Sequence, residues 1–294
     1  MCLDYPQAVC DAVMYNMCMA RWDKITSVGN VVDRRGVGGA LVGGGGVLAV
    51  IITLALGYFG ISVPQSTVEE VISQIDSLQS QTVEESDQPV EFRGEDEYEV
   101  FASKVLGSSN DVWARVFSSN SKSYEEPRLV LFRDVTRSGC GIASSQIGPH
   151  YCPADSTIYL DETFFDELGR RFGSSTGEVA QAYVIAHEVG HHVQNQLGAL
   201  AGSNRSNEDS IQTELQADCY AGIWAYSQAK NNVFETGEIE QAMSAAAAVG
   251  DDNIQQTIEG RVNPENWTHG SSEQRVNAFT VGYESGDPSR CSEF

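Results

Sequence analysis

The chain has 294 residues, with 41 acidic side chains against 18 Lys and Arg and a formal net charge of -23. A sequence-independent nucleic-acid binder is excluded, because neutralising phosphates takes clustered Lys and Arg that this composition lacks. With 41% apolar and 20% charged residues, the chain is too hydrophobic to be disordered throughout, and its length suits one sizeable domain.

The first eighteen residues, with Cys2, Cys10 and Cys18, carry no periodic pattern. No charged residue then occurs between Arg35 and Glu69, and residues 47–63 read VLAVIITLALGYFGISV. A helix over 40–63 would be roughly 36 Å long, enough to cross a hydrocarbon core of about 30 Å. Arg21, Lys24, Arg34 and Arg35 precede the stretch, whereas Glu69, Glu70, Asp76, Glu84 and Glu85 follow it. The excess of basic residues predicts a cytoplasmic N-terminus. The expected layout is a cytoplasmic tail (1–36), a single transmembrane helix (37–63), a polar stalk (64–94) and an extracytoplasmic domain (95–294), in the cell membrane and facing the periplasm or exterior.

That orientation puts Cys140, Cys152, Cys219 and Cys291 in an oxidising space, where an even number suggests two disulfides. Three pairings are open. Cys140 with Cys152 closes a short loop across a Gly/Pro turn and would leave Cys219 for Cys291; the absence of a C-x-x-C pair speaks against thiol ligands.

Within the domain, helices are predicted at 95–106 and 110–118, a strand at 128–133, a Gly-rich loop holding Cys140 and Cys152, and a strand at 157–160. Helices follow at 161–172, 176–197, 207–230, 235–249 and 271–284. The fold class is α+β, mainly helical, with a small sheet.

The chemistry sits at His187-Glu188-Val189-Gly190-His191, an H-E-x-x-H motif. Ser175 and Glu178 form an S-x-x-E capping pattern, apolar or small residues recur at helical spacing, and Gly198 supplies the stop. Spacing of i and i+4 puts both imidazoles on one helix face, where they converge on a metal, and Glu188 stands near enough to act as general base. A His2Glu zinc site needs one carboxylate from another helix. Glu214 in Glu214-Leu215-Gln216-Ala217-Asp218 is the expected third ligand, with Ser206 as the cap of its helix, Asp218 itself or His269 as alternatives, and Asp218 placed one turn on to accept the free ring N–H of His187. A metzincin continuation is excluded by Gln194 and Leu197. Further on, His269 and Arg275 in Thr268-His269-Gly270-Ser271-Ser272-Glu273-Gln274-Arg275 are candidate donors to the oxygen on which charge develops. His150 and His192 read as structural.

At AYVIAHEVGHHVQNQLG (182–198), ELQADCYAGIWA (214–225), SGCGIASSQIGPHYCPAD (138–155), YLDETFFDELGRRFG (159–173) and WDKITSVGNVVDRRG (22–36), the chain resembles the bacterial neutral zinc metallopeptidases. The resemblance covers nearly everything from Arg21 to Phe294. It implies a gluzincin-like, zincin-fold peptidase with His187, His191 and Glu214 on Zn2+, Glu188 as general base and the four domain cysteines matched. The acidic helix and the later T-H-x-x-x-x-x-R are also similar to membrane gluzincins that include the CaaX prenyl proteases, which carry T-H-P where this chain has Thr268-His269-Gly270. The expected function is hydrolysis of peptide or protein substrates by a membrane-anchored zinc metallopeptidase, with strand 128–133 as the sheet edge for an extended substrate. The alternatives are a membrane-anchored binding or assembly protein with a relic zinc site, and a zinc hydrolase of a non-peptide amide. Oligomeric state is not legible.

Overall fold

A computed structural model describes residues 20–35, the backbone of 90–91, and residues 96–200, 206–235 and 237–294. The expected transmembrane helix, most of the expected stalk, and Cys2, Cys10 and Cys18 lie outside the described residues. Among the described residues, no helix is long and apolar enough to cross a membrane.

The elements run β1 (Asn30–Asp33), β2 (Val90–Glu91), α1 (Glu97–Ser119), β3 (Arg128–Leu131), β4 (Val135–Ser138), β5 (Gly141–Ser144), β6 (His150–Cys152), β7 (Thr157–Leu160), α2 (Thr163–Phe172) and α3 (Glu178–Gln196). Then come α4 (Asn207–Lys230), α5 (Ile239–Ala248), α6 (Asp251–Glu259) and α7 (Ser272–Ser285). The architecture is α+β and mainly helical, with a sheet ordered β2-β1-β3-β7-β6 and a separate β4–β5 hairpin. Strands β1, β3 and β7 are parallel, and β2 and β6 flank them antiparallel. All four residues of β7 are buried, as expected of a parallel strand covered on both faces. Alternate side chains divide the sheet: Leu129, Leu131, Ile158 and Leu160 join the main core with α1 and α3, while Val130 and Tyr159 pack with Ala143 of the hairpin.

The edge role expected of strand 128–133 is corrected here. β3 lies between β1 and β7, so its backbone groups are already used in ladders on both sides.

The expected domain start at residue 95 is also moved. Residues 20–35 belong to the same folded unit: β1 pairs with β3 over its whole length, Val31 is 1% exposed, and Ala20 and Ile25 are buried. This segment explains why the two predicted helices at 95–106 and 110–118 are one. A Cβ at Gly107 would stand 2.7 Å from the Val28 backbone, so this glycine is the point at which the N-terminal segment crosses α1. Ser108 and Ser109 turn their hydroxyls back onto the Val105 carbonyl and stay in the helix.

Three long helices then meet through small residues. A methyl group at Gly190 of α3 would press on the Ala217 backbone of α4, and one at Gly222 or Gly282 would collide with the backbone of the facing helix where α4 meets α7. The Cys219–Cys291 disulfide ties α4 to the C-terminal segment, and Cys140–Cys152 ties the hairpin loop to β6.

Candidate metal centre

The α3 and α4 helices bring the site together because they cross at Gly190, which lies between His187 and His191, and at Ala217, which lies between Glu214 and Asp218. Ser206 starts α4 with a reciprocal capping box to Asp209, as its sequence suggested. For α3 the expected Ser175 cap is not used. Gly177 is the N-cap residue, and Glu178 instead accepts the Trp22 indole N–H at 2.7 Å.

His187, His191 and Glu214 offer one ligand atom each, all within 4.8 Å of one another. The His187 and His191 Nε2 atoms stand 3.3 and 3.4 Å from the two Glu214 carboxylate oxygens. Tetrahedral donors at Zn–N and Zn–O bonds of about 2.0–2.1 Å would be separated by roughly 3.3 Å, so this spacing fits a zinc ion. Among the described residues, this is the only such cluster of three or more His, Cys, Asp or Glu side chains. Neither alternative third ligand belongs to it.

Each imidazole is oriented by a partner on its other nitrogen. At His187, Nδ1 lies 2.8 Å from Asp218 Oδ1. An ionised carboxylate only accepts, so Nδ1 carries the proton and Nε2 presents its lone pair. At His191, Nδ1 lies 2.9 Å from Gln194 Oε1. The Gln194 amide is fixed because its Nε2 donates to the Thr213 carbonyl at 2.8 Å, and that carbonyl can only accept. Its oxygen must therefore face His191, which again leaves Nε2 free for metal. Gln194 is 1% exposed, and sequence reading passed over it except as a residue that is not glycine. The signal available was its i+3 position from His191.

Arg275 is placed differently from its expected role as an oxyanion donor. It is 3% exposed and holds Asp218 with two bonds, Nε at 2.7 Å and Nη2 at 3.0 Å. Its remaining Nη1 reaches the Val249 carbonyl at 3.4 Å. The guanidinium thus serves Asp218, which the Tyr183 hydroxyl also contacts at 2.5 Å. Tyr183 stands four residues before His187 and was not singled out from sequence.

Without metal the electrostatics are those of a protonated site. Burial opposes the charged imidazole at His187, but Asp218 and Glu214 outweigh it and push its pKa up to about 10. His191 is raised as well, by Glu214 against burial. Burial acts against ionised Glu214 too, and the two histidines nonetheless hold it well below the usual carboxylate range.

Glu188 is 6% exposed and its Oε2 is buried without a hydrogen-bond partner. An orphaned carboxylate oxygen beside three convergent metal donors fits a water that a bound metal would hold. His269 is half-exposed. Its ring Nδ1 and backbone N–H, with those of Thr268 and Gly270, are gathered by Asp251, whose Oδ2 accepts all three backbone groups at 2.7, 2.7 and 3.2 Å. Asp251 therefore sets this loop, and Gly270 (φ +88°) lies against Ile211 and Leu215, next to Glu214 on α4. His192 is buried between the Tyr151 hydroxyl and the Glu125 carbonyl, and burial lowers its pKa. His150 stacks on Tyr159. Both are structural, as read.

The family profile described as "Putative neutral zinc metallopeptidase" matches residues 20–294. The chain belongs to this family. It is 40% identical over 293 residues to the uncharacterized protein YpfJ of Escherichia coli K12, covering 93% of this chain and 98% of the relative. It is 48% identical over 205 residues to the uncharacterized protein Rv2575 of Mycobacterium tuberculosis H37Rv, covering 65% and 70% respectively. No solved structure matches.

Proposed function

We propose that this protein is a zinc-dependent peptidase with a zincin-like catalytic centre, hydrolysing peptide bonds of peptide or protein substrates. The observation that carries the reading is the buried, unpartnered Glu188 Oε2 beside the His187, His191 and Glu214 donors. A purely structural metal site has no use for such a base. His187, His191 and Glu214 would hold zinc, and zinc when bound supplies the Lewis acidity that makes a water nucleophilic near neutral pH. Glu188 takes the proton of that water as its oxygen adds to the peptide carbonyl carbon, and returns the proton to the amine nitrogen as the C–N bond breaks. His269, its ring held by Asp251, is the donor toward the oxygen on which charge develops. Arg275 holds Asp218, and its Nη2 also stands 3.8 Å from Glu214 Oε2, so it supports the ligands and is not assigned to the developing oxyanion.

We further infer that the protein is membrane-associated through apolar residues 37–63 and that its folded domain faces an oxidising, extracytoplasmic space. The two disulfides support the second point.

The test of the catalytic reading is zinc stoichiometry alongside casein or peptide-library cleavage. The wild-type chain should hold about one zinc and show chelator-sensitive cleavage. Glu188→Gln should keep the zinc and lose hydrolysis, and His187→Ala should lose both. Zinc at full occupancy with no turnover on any peptide would sink the peptidase reading in favour of a binding or assembly protein.

A further inference from the structure

We infer that residues 20–35 lie on the same side of the membrane as the rest of the folded domain, so that apolar residues 37–63 do not carry the chain across. The inference goes beyond the peptidase reading and does not depend on it.

The basic flank that suggests a cytoplasmic N-terminus has other work in the fold. Arg21 pairs with Glu235 and Lys24 donates to the Asn232 carbonyl, both in the segment that follows α4. Arg34 reaches the Arg137 carbonyl on the hairpin. Arg35 pairs with Glu162 and Asp96, as well as with its neighbour Asp33. Each of the four positive charges therefore has a partner in the domain that a single crossing would place on the opposite side. The apolar contacts agree: Trp22 packs edge-on to Phe101 and Phe234, and Gly29 and Ser103 exchange bonds through Gly29 N–H to the Ser103 carbonyl and Ser103 Oγ to the Gly29 carbonyl.

The chain leaves the domain at the end of β1 and returns as β2, and Asp33 and Val90 are register partners, so departure and return are side by side. A crossing followed by a return would need a second charge-free run of about 20 residues. Residues 64–89 carry Glu69, Glu70, Asp76, Glu84, Glu85 and Asp87 instead. With no return crossing available, a first crossing is incompatible with β1 in the sheet. The family match also begins at residue 20 and so includes this segment together with the rest of the domain.

The experiment is cysteine labelling of the full chain in Escherichia coli spheroplasts with a membrane-impermeant maleimide, in a background with Cys2, Cys10 and Cys18 changed to Ser. Val28→Cys probes the N-terminal segment and Ile147→Cys the domain, at positions 63% and 60% exposed. Asp23→Cys repeats the first reading from a second exposed position. The expected result is equal labelling of all three before lysis. Labelling of Ile147→Cys before lysis with Val28→Cys and Asp23→Cys reacting only after it would overturn the proposal. Equal labelling of all three only after lysis would uphold a shared side and overturn the extracytoplasmic assignment.

Discussion

The two histidines of the candidate metal centre are supported in different ways. His187 is oriented by Asp218, a fully buried carboxylate on α4 that is itself held by Arg275 of α7 and Tyr183 of α3. His191 is oriented by Gln194, a neutral amide on its own helix, three residues away. One ligand is coupled to the packing of three helices through buried charges, and the other to one helix and the α4 backbone it touches. The contrast matters energetically, because removing one partner of a buried ion pair strands the other, whereas a neutral hydrogen bond is cheaper to lose.

The largest expected effect is therefore at Asp218. Asp218→Asn leaves the Arg275 guanidinium buried against a neutral amide, and such a break costs about 3–5 kcal/mol, a large share of a typical domain's stability. Urea unfolding of the purified chain measures it. The double variant Asp218→Asn with Arg275→Met should regain most of the stability, since the stranded charge is gone, yet zinc affinity should stay low because His187 has lost the acceptor that fixes its tautomer. Recovery of both together would mean that Asp218 serves the fold alone.

On the other side of the site, Gln194→Ala should cost about 1–3 kcal/mol of stability, less than Asp218→Asn, because only neutral groups lose partners, and should weaken zinc binding by about 10–100-fold, as loss of a group orienting a metal ligand does. Competition with a chelator of known affinity reads this directly. If Gln194→Ala instead matched Asp218→Asn in stability loss, the contrast between a local and a tertiary support would be wrong.

How far this was legible from sequence follows the same division. Interactions carried by one helix were readable: the i,i+4 histidines, the Ser206 cap and the placement of Glu214 and Asp218 one turn apart all came from periodicity, and α4 runs over the predicted 207–230. The partner of Arg275 lies 57 residues away, and no local pattern carries a long-range buried charge pair. Gln194 was within reach, but an amide has no charge to attract notice. Strand β1 was hidden for a different reason. It is four residues long and abuts an apolar run, so its basic neighbours read as a membrane flank when they are ion-pair partners of the domain. Helix α6, polar and capped by Gly250 rather than by a side chain, offered no apolar stripe to detect.

The smallest effect per unit of change is the pH response of the metal-free site, and its sign separates the two supports again. His187, pushed up to about 10 against burial mainly by Asp218, contributes stability that is fully present below the unfolded pKa and is lost as pH rises through the folded value of about 10. Depressed Glu214 and Asp218 contribute in the opposite sense: their part is present above the unfolded carboxylate pKa and is lost as pH falls through the folded one. Metal-free stability should thus decline on the alkaline side, by at most about 1.4 kcal/mol per pH unit for each proton released. Zinc affinity should move the other way, rising by up to about tenfold per pH unit for each proton displaced, because the metal needs the Nε2 lone pairs that protons occupy. Unfolding of the metal-free and zinc-loaded chain across this range gives both slopes. Gln194→Ala should keep the alkaline decline, since Glu214 drives the His191 shift and Asp218 the larger one at His187. Asp218→Asn with Arg275→Met should flatten it, because the carboxylate that holds the proton on His187 is gone, and a decline that survives in that double variant would move the origin of the effect to Glu214.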